Sequence, residues 1–342
     1  MIWCCSRCRG GLQAGQDGLP SGREMLKCLG CGSTFEVVAG IPDLRLAGDS
    51  WIDFEEDLVI ARELAALDCT LAELVRSVYA RRPGWDVRRV EQRTREVLQA
   101  SSKLERDVSG WLHTTVDHRS IVLDLGCGAG MLIAAAAAQG KDAIGIDVSM
   151  TWLVVAKRLI TEAGGKPVLA AALGEALPLA TNSVRSLVSL DVIEHVRDPD
   201  QFLREMNRVV QPGGRIALST PNRFSLSAEP HVFVWGVGWL PKRWQRGFVR
   251  WRSGKSYDDT LLMSSFGLRS RIRRNTSFSI EILIPAIPPE QLAAFRPLKR
   301  TIGLTYNRLA SNRLLRVFFL LIGPFFRVLG VQRKSEGEPC AR

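Results

Sequence analysis

The sequence lacks any apolar run long enough to cross a membrane as a helix. Its most apolar segment, 314–331, has a charge-free run of only ten residues, Val317 to Phe326, which includes Gly323 and Pro324. A spanning helix needs about 20 apolar residues. We therefore expect a buried helix followed by a final strand here, with an interfacial element or a true span as the alternatives.

The first residues, "MIWCCSRCRGG", lack the apolar segment of a secretory signal. We therefore expect a cytoplasmic protein whose eight cysteines stay reduced. In that compartment, closely spaced cysteines indicate a metal site or catalysis rather than disulfides. The sequence also lacks any internal repeat.

Acidic residues are scarce in the last third of the chain. Residues 221–342 carry 21 basic and 7 acidic side chains, whereas residues 1–50 carry 5 of each. Such an asymmetry informs on partners rather than on fold, because anionic lipid headgroups, sugar phosphates and nucleic acids would all be attracted to it.

Strand-length apolar runs alternate with helical stretches from residue 121 onwards. "IVLDL", "DAIGIDV", "VRSLVSL" and "GRIALST" are separated by stretches such as "TWLVVAKRLITEAGG". This alternation predicts an α/β fold with a parallel, doubly wound sheet. The predicted divisions are an N-terminal segment 1–46, a helical lead-in 51–117, a core 118–222, a C-terminal part 223–334 and a disordered tail 335–342.

Two cysteine pairs near the N-terminus have the spacing of a zinc ribbon. "CSRCRG" supplies Cys5 and Cys8, "CLGCG" supplies Cys28 and Cys31, and 19 residues separate the pairs. Four thiolates from two tight turns suit one tetrahedral, structural Zn²⁺; Cys4 in place of Cys5 remains an alternative. The stretch through "GSTFEVVAGIPDL" resembles the Trm112-like zinc-ribbon module found ahead of some methyltransferase domains.

The loop "LGCGAG" follows the first strand of the core and precedes a helix that begins near Met131. Gly126, Gly128 and Gly130 allow a turn and the close approach of a ligand at the carboxyl end of the strand. The third glycine of a dinucleotide fingerprint is missing, since Met131 stands at that position. With Asp147 closing the next strand, a nicotinamide or flavin fold and an S-adenosylmethionine (SAM) fold both fit.

The motifs "LDLGCGAG", "IGIDVS", "EALPLATNSVRSLVSLDVIEHVRDP" and "RVVQPGGRIALSTPN" resemble, in order and spacing, class I SAM-dependent methyltransferases of the type 11 group. The resemblance covers about 121–222 and implies a seven-stranded, Rossmann-like sheet. From the cysteine spacing and from the composition after residue 222, we expect a zinc ribbon before this sheet and an aromatic, basic cap after it. The resemblance implies SAM as cofactor, at a site formed by Asp124, Gly126, Gly128, Gly130, Asp147, Val148, Leu173, Glu175 and Asp191.

The resemblance also implies a role for each part of this set. Asp124 and the glycines would hold the amino-acid end of SAM, Asp147 the ribose, and residues 173–175 the adenine, with Asp191 at the methyl-transfer site. Leu173 stands where the family often has an acidic residue, so the adenine contact would come from the backbone or from Glu175.

Two histidines are candidates for a catalytic base, which is needed if the acceptor is a hydroxyl. His195 lies in "DVIEHV", where quinone-biosynthesis O-methyltransferases carry a similar Glu-His pair, and His231 opens a tryptophan-rich stretch. Packing or helix-capping roles are the alternatives for both. Glu194 would orient His195 or contact the substrate, but one carboxylate and one imidazole do not define a metal site.

The tryptophan segment, residues 231–251, follows the predicted strand "GRIALST". It interleaves four tryptophans with four basic residues, and we expect it to cover the acceptor side of the site. Trp235 and Trp239 are expected to face inward and Arg243 to meet phosphate or solvent. A local hydrophobic cluster with exposed arginines is the alternative.

The favoured function is O-methylation of a small-molecule or lipid-linked glycan or isoprenoid acceptor, at a site that also contacts an anionic membrane surface. The absence of "NPPY" or "DPPY" after the fourth strand disfavours the amine methylation of nucleic acids that those motifs accompany. The alternatives are an rRNA or tRNA methyltransferase that uses the ribbon and the basic C-terminal third, other small-molecule acceptors including quinone-like ones, and a non-catalytic interaction module. The sequence does not indicate an oligomeric state.

Overall fold

A computed structural model describes residues 2–16, 24–46, 52–99 and 121–333, apart from 83, 259, 294 and 313. An N-terminal antiparallel sheet has the order β1-β2-β3-β4. Its strands are β1 Leu12–Gln16, β2 Glu24–Cys28, β3 Thr34–Val38 and β4 Ile41–Pro42. The segment after β4 continues to the edge of the main sheet, where Leu44 N donates to Ala171 O at 2.8 Å.

Helices follow this sheet, as the sequence predicts. α1 is capped by Asp53, whose carboxylate accepts from the N–H groups of Glu55 and Glu56, and α2 begins with a capping box between Thr70 and Glu73. The helices are α1 Phe54–Ala65, α2 Leu71–Ala80 and α3 at 87–99. The rest of the predicted helical lead-in, 100–117, lies outside the described residues, as does the predicted tail.

The main sheet has seven strands in the order β10-β11-β9-β8-β5-β6-β7. Five are parallel, and β11 and β10 join antiparallel at one edge. This arrangement confirms the predicted seven-stranded α/β sheet. Its strands are β5 Val122–Leu125, β6 Ala143–Asp147, β7 Val168–Ala171, β8 Val184–Leu190, β9 Val210–Pro221, β10 Phe278–Leu283 and β11 Phe325–Gln332.

Helices pack on both faces of the sheet, which is why β5 is buried at every position. A 3₁₀ turn at Val237–Trp239 precedes α7. The remaining helices are α4 Met131–Ala138, α5 Met150–Glu162, α6 Pro199–Val209, α7 Lys242–Ser253, α8 Ser265–Asn275, α9 Pro289–Ala293, α10 Pro297–Ala310 and α11 Arg316–Ile322.

The segment 314–331 contains the predicted helix and strand, but the expected burial of the helix is wrong. α11 is seven residues long and none of them is buried; Val317 is 65% exposed and Phe318 54%. One side of α11 packs on α10, where the rings of Phe319 and Tyr306 meet edge to face at 5.4 Å, and nothing described covers the other side. Throughout the described residues, no helix has the length and apolar character needed to cross a bilayer.

A buried arginine joins the N-terminal segment to the main sheet. Arg45 donates through Nη1 to Asp57 Oδ2 at 2.8 Å and to Val148 O at 2.9 Å, and through Nε to Asp43 Oδ1 at 2.7 Å. Burial opposes its charge, but the two carboxylates outweigh this and raise the pKa of Arg45. Asp57 in turn accepts from the N–H groups of Met150 and Thr151, so that a carboxylate of α1 caps the N-terminus of α5.

We expect Arg45→Met to lower the free energy of unfolding by about 3–5 kcal/mol, because it leaves two buried carboxylates without their cation. Urea titration followed by circular dichroism measures this. The matched control is Arg62→Met, which removes an ion pair with Glu36 whose arginine side chain is 36% exposed, and which should cost less than about 1 kcal/mol. Equal losses in the two variants would contradict the assigned role of Arg45.

Candidate functional site

The glycine loop between β5 and α4 has the conformation that its sequence predicts. Gly126, Gly128 and Gly130 have φ values of 82°, 49° and 76°, a region that side chains disfavour. A Cβ on Gly126 would lie 2.2 Å from a methyl of Val192, and one on Gly130 would lie 2.8 Å from Ala156 Cβ. These two glycines are therefore also required by packing within the protein.

Asp147 is held against this loop. Its Oδ2 accepts from Gly128 N at 2.7 Å and its Oδ1 accepts from Ser149 N at 2.9 Å. Burial raises the pKa of Asp147, although the two N–H donors lower it in part. The carboxylate is thus oriented at the carboxyl end of β6, with lone pairs left for a ligand.

A cavity of about 310 Å³ opens beside Asp147 at the carboxyl ends of the parallel strands, where open α/β sheets bind ligands. Seven of the predicted SAM-site and catalytic residues line it: Gly126, Asp147, Val148, Leu173, Glu175, Asp191 and His195. Asp124, Gly128 and Gly130 do not line it. Asp124 lies behind the loop and is only 4% exposed; burial and the charge of Asp147 raise its pKa to about 8.

Leu173, Gly174 and Glu175 form one part of the cavity lining. Leu173 lines the wall without a polar group, and Glu175 Oε1 already accepts from the N–H groups of Arg197 and Asp198 at 2.9 and 3.3 Å. A ligand at this end would therefore meet the backbone of residues 173–175 and an occupied carboxylate.

Two more acids lie at or near the cavity, Asp191 in its lining and Glu194 three residues further along the chain. Asp191 directly follows β8 with φ 56°, a strained backbone angle for a non-glycine residue, and Ser219 Oγ donates to its Oδ1 at 2.7 Å. Glu194 is fully buried; Thr220 Oγ1 donates to its Oε2 at 3.0 Å, whereas its Oε1 has no protein partner among the described residues. Burial and the charge of Asp191 raise the pKa of Glu194 to about 8.

The two predicted histidines are in contact. The rings of His195 and His231 meet edge to face with centroids 4.6 Å apart, and ligand atoms of Glu194, His195 and His231 all lie within 4.8 Å of one another. Glu194 and His195 follow strand β8, and His231, 36 residues after His195 in the chain, comes from the loop after β9. The structure therefore unites the catalytic candidates with the cofactor cavity through His195.

Sequence reasoning missed Glu229, the partner of His231. His231 Nδ1 donates to Glu229 Oε1, and Glu229 Oε2 accepts from the N–H groups of His231 and Val232 at 2.9 and 2.8 Å. Burial lowers the pKa of His231, but the bond to Glu229 and the charges of Glu229, Glu194 and Asp191 outweigh it and raise the pKa. The sequence Glu-Pro-His could have predicted this pair, because a glutamate two residues before a histidine can accept hydrogen bonds from both the ring and the backbone N–H of that histidine.

The expectation that Trp235 and Trp239 face inward is wrong. They are 63% and 48% exposed, and their indole N–H groups donate to Leu226 O and Ser225 O at the surface. None of residues 231–251, all of them described, lines the cavity. Arg243 is exposed on α7, with its guanidinium over the ring of Trp244 at 5.2 Å. These side chains point outward because Val232, Val234, Val237 and Val249 fill the small core beneath them.

The four predicted cysteine ligands converge. Their sulfur atoms all lie within 4.8 Å of one another, with Cys5 and Cys31 at 3.7 Å and Cys8 and Cys28 at 3.4 Å. The N–H groups of Gly30 and Cys31 donate to Cys28 Sγ, as in a tight turn around a thiolate. Cys4 instead pairs with Gly11 in a β-bridge and donates its N–H to Pro178 O.

Comparison with known proteins identifies the core. Residues 123–218 match the family described as "Methyltransferase domain". Ubiquinone biosynthesis O-methyltransferases of Azorhizobium caulinodans and Pseudomonas fluorescens are 35% and 39% identical to this chain over 134 and 131 residues. These alignments cover 38% and 37% of this chain and 51% and 54% of the relatives, so the chain spans about half the length of the curated relatives it matches. Residues 123–218 are thus similar to a methyltransferase domain.

Solved structures share this fold only loosely. A SAM-dependent methyltransferase of Mesorhizobium loti is 16% identical, with a TM-score of 0.45 over 66% of this chain and 97% of that one. A phosphoethanolamine N-methyltransferase of Haemonchus contortus is 17% identical, with a TM-score of 0.46 over 68% of this chain and 53% of that one. At these scores the likenesses do not bear on acceptor or mechanism.

The raised pKa of Glu194 predicts a pH-dependent effect of Glu194→Gln. Because the native state keeps a proton that the unfolded state loses, wild-type stability falls as pH rises from the ordinary carboxyl pKa towards 8, by up to about 1.4 kcal/mol per pH unit. Glutamine stays neutral and lacks this loss. Its stability relative to wild type should therefore grow between pH 5 and pH 8, as measured by urea titration at each pH.

The control for this series is Asp142→Asn, which changes an exposed carboxyl group before β6. It should run parallel to wild type across the same pH range. A Glu194→Gln curve that also stays parallel to wild type would show that Glu194 is charged in the native state at pH 7.

Proposed function

We propose that the chain is a SAM-dependent methyltransferase that transfers the methyl group to a hydroxyl oxygen of a small-molecule or lipid-linked acceptor. The observation that carries this proposal is the arrangement of the cavity. Gly126 and Asp147 line it together with His195, which contacts a histidine paired with a buried glutamate. The curated O-methyltransferases that match the same domain support the oxygen acceptor.

The residues present fit SAM. Asp147 offers free lone pairs beside a glycine-rich loop, as two ribose hydroxyls require. Asp147 and Asp191 line the cavity and Asp124 is buried near it, and the pKa values of all three carboxyl groups are raised, an environment that favours a cationic ligand. When bound, SAM supplies an electrophilic methyl group on a sulfonium sulfur.

His231 is suited to act as the base that takes the proton of the acceptor hydroxyl. Its Nδ1 is committed to Glu229, which fixes the tautomer and leaves Nε2 as the proton acceptor. The buried carboxylate of Glu229 stabilises the imidazolium that forms, the role that a buried aspartate has in catalytic triads. His195, in contact with the ring of His231 and lining the cavity, positions the base against the cofactor side.

Two substitutions should separate cofactor binding from chemistry. Asp147→Ala should weaken SAM binding by about 100-fold, because it removes hydrogen bonds to a charged acceptor. His231→Ala should leave SAM affinity within about twofold of wild type while lowering turnover by about 10²- to 10⁴-fold. Isothermal titration measures the first, and transfer of labelled methyl groups from SAM into fractionated cell extract measures the second.

Asp142→Ala provides an exposed carboxylate control for both measurements. Undiminished SAM affinity in folded Asp147→Ala would refute the assigned cofactor site. Retained turnover in His231→Ala would refute the role of His231 as the base but would leave the assigned cofactor site unaffected. Label that enters RNA rather than a small-molecule or lipid fraction would refute the proposed acceptor class.

We also propose that Cys5, Cys8, Cys28 and Cys31 bind one structural Zn²⁺. Zinc–thiolate bonds of about 2.3 Å in a tetrahedron place the sulfurs about 3.8 Å apart, close to the 3.4 and 3.7 Å found here. The site adjoins the main domain, because Arg9 in the first turn pairs with the buried Glu205 of α6 at 2.8 Å. Its four sulfur ligands fill the coordination sphere, so the metal would act in folding rather than in catalysis.

Elemental analysis of the purified chain should give about one zinc per molecule. Cys28→Ser should lose the metal and lower the midpoint of thermal unfolding, because the N-terminal sheet has little core of its own. Cys69→Ser, at a half-buried cysteine remote in sequence from the cluster, is the matched control and should keep the metal. A stable wild-type protein that contains no zinc would refute this site.

A further inference from the structure

Four tryptophan side chains of the tryptophan segment lie at the surface. Trp235, Trp239, Trp244 and Trp251 are 63%, 48%, 55% and 78% exposed. Tryptophan is on average a highly buried residue, and single exposed apolar side chains need no explanation, whereas a contiguous group marks an interaction site.

The outward orientation of these rings is built into the structure. Trp235 Nε1 donates to Leu226 O at 3.1 Å and Trp239 Nε1 donates to Ser225 O at 3.2 Å. The polar edge of each indole is therefore satisfied by the protein, and the apolar part of the ring is left to solvent. A small core of four valines and Tyr257 is complete beneath them, so the tryptophans are not needed to fill it.

Helix α7 alternates aromatic and cationic side chains on its exposed surface. Trp244 and Trp251 are seven residues apart, two turns of helix, and so share a face. Lys242, Arg243, Arg250 and Arg252 are all exposed around them. Residues 230–257 contain six basic and no acidic side chains.

The exposed apolar surface continues onto α11. Leu226, which accepts from Trp235, donates its own N–H to Ile322 O at 3.1 Å. Leu226, Phe318 and Leu321 are 55%, 54% and 38% exposed. Residues 291–333, which include α11, again contain no acidic residue, against eight basic ones. Trp235, Leu226 and α11 are thus joined by hydrogen bonds, and α7 follows them closely along the chain after Trp239. We call these exposed tryptophans, aliphatic side chains and cations together the aromatic-basic surface.

We propose that the aromatic-basic surface binds the headgroup region of an anionic phospholipid bilayer. Indole rings favour the membrane–water interface, basic side chains are attracted to anionic headgroups, and exposed leucine and phenylalanine reach the acyl boundary. No described helix is able to span the bilayer, so the contact is peripheral. The inference concerns a surface outside the cavity and does not depend on the proposed methyl transfer.

Two other partners fit this surface less well. A nucleic acid would use the cations and stack on the indoles, but it offers nothing apolar to Leu226, Phe318 and Leu321. A second copy of the chain would place the same cations opposite each other across a two-fold interface, where like charges repel. An anionic bilayer complements both the apolar and the cationic groups.

Co-sedimentation of the full chain with vesicles tests the proposal. Wild type should bind vesicles of phosphatidylcholine with phosphatidylglycerol, and should bind pure phosphatidylcholine far more weakly. Arg243→Gln/Arg250→Gln should weaken binding by about 30-fold at low salt, since each basic side chain near the surface contributes about 1 kcal/mol, or about fivefold. The loss of vesicle binding caused by the double arginine substitution should become smaller at high salt, because salt screens the charges. The loss caused by Trp244→Ala/Trp251→Ala should persist.

The matched control is Arg88→Gln/Arg95→Gln, a pair of exposed arginines seven residues apart on α3, which should bind as wild type does. Quenching of tryptophan fluorescence by brominated phosphatidylglycerol gives a second readout, expected for wild type and reduced in the tryptophan variant. Absence of wild-type binding, equal effects of the α3 and α7 pairs, or retention by RNA but not by vesicles would each overturn the proposal. So would a dimer that the α7 variants dissociate.

Discussion

The buried Arg45–Asp57 pair is the constraint on which the site depends. Arg45 comes from the segment after the N-terminal sheet, Asp57 from α1, and both act on residues 148–151, directly after Asp147. Burying two charges costs several kcal/mol. This cost is offset by the hydrogen bonds that the guanidinium of Arg45 donates and by the ring of Phe54, whose centroid lies 4.1 Å from Arg45 Cζ. Elements outside residues 123–218 therefore support the segment 148–151 that directly follows Asp147.

The second constraint is the concentration of carboxyl groups around the cavity. Asp124 and Glu194 are buried and Asp147 is half-buried, whereas Asp191 is more exposed; desolvation raises the pKa of each. In the absence of a cation, neutral forms and backbone N–H donors limit the repulsion. A positively charged ligand would relieve this repulsion, so these carboxyl groups favour a cation in the cavity.

The sequence predicts those parts of the structure that depend on residues close together in the chain. Buried parallel strands appear in the sequence as apolar runs, so the sheet was predictable. The glycines of the loop after β5 and the spacing of the two cysteine pairs likewise predicted the positions of Asp147 and of the cysteine cluster. Arg45 and Glu229 were not, because their roles arise from partners brought together by tertiary folding. The prediction that Trp235 and Trp239 face inward was wrong for the same reason. Valines of this segment, rather than the larger tryptophan rings, form the core beneath it.

The tryptophan segment thereby has two sides. His231 reaches the acidic cluster beside the cavity, whereas Trp235, four residues later, points to solvent, and Val232 and Val234 between them are buried. Glu229 fixes both ends of this short arc, since it bonds the ring of His231 and donates its own N–H to Val234 O at 2.9 Å. The residue proposed as the base and the first exposed tryptophan of the proposed membrane surface are therefore held four residues apart by the same buried glutamate, although the two regions share no side chain.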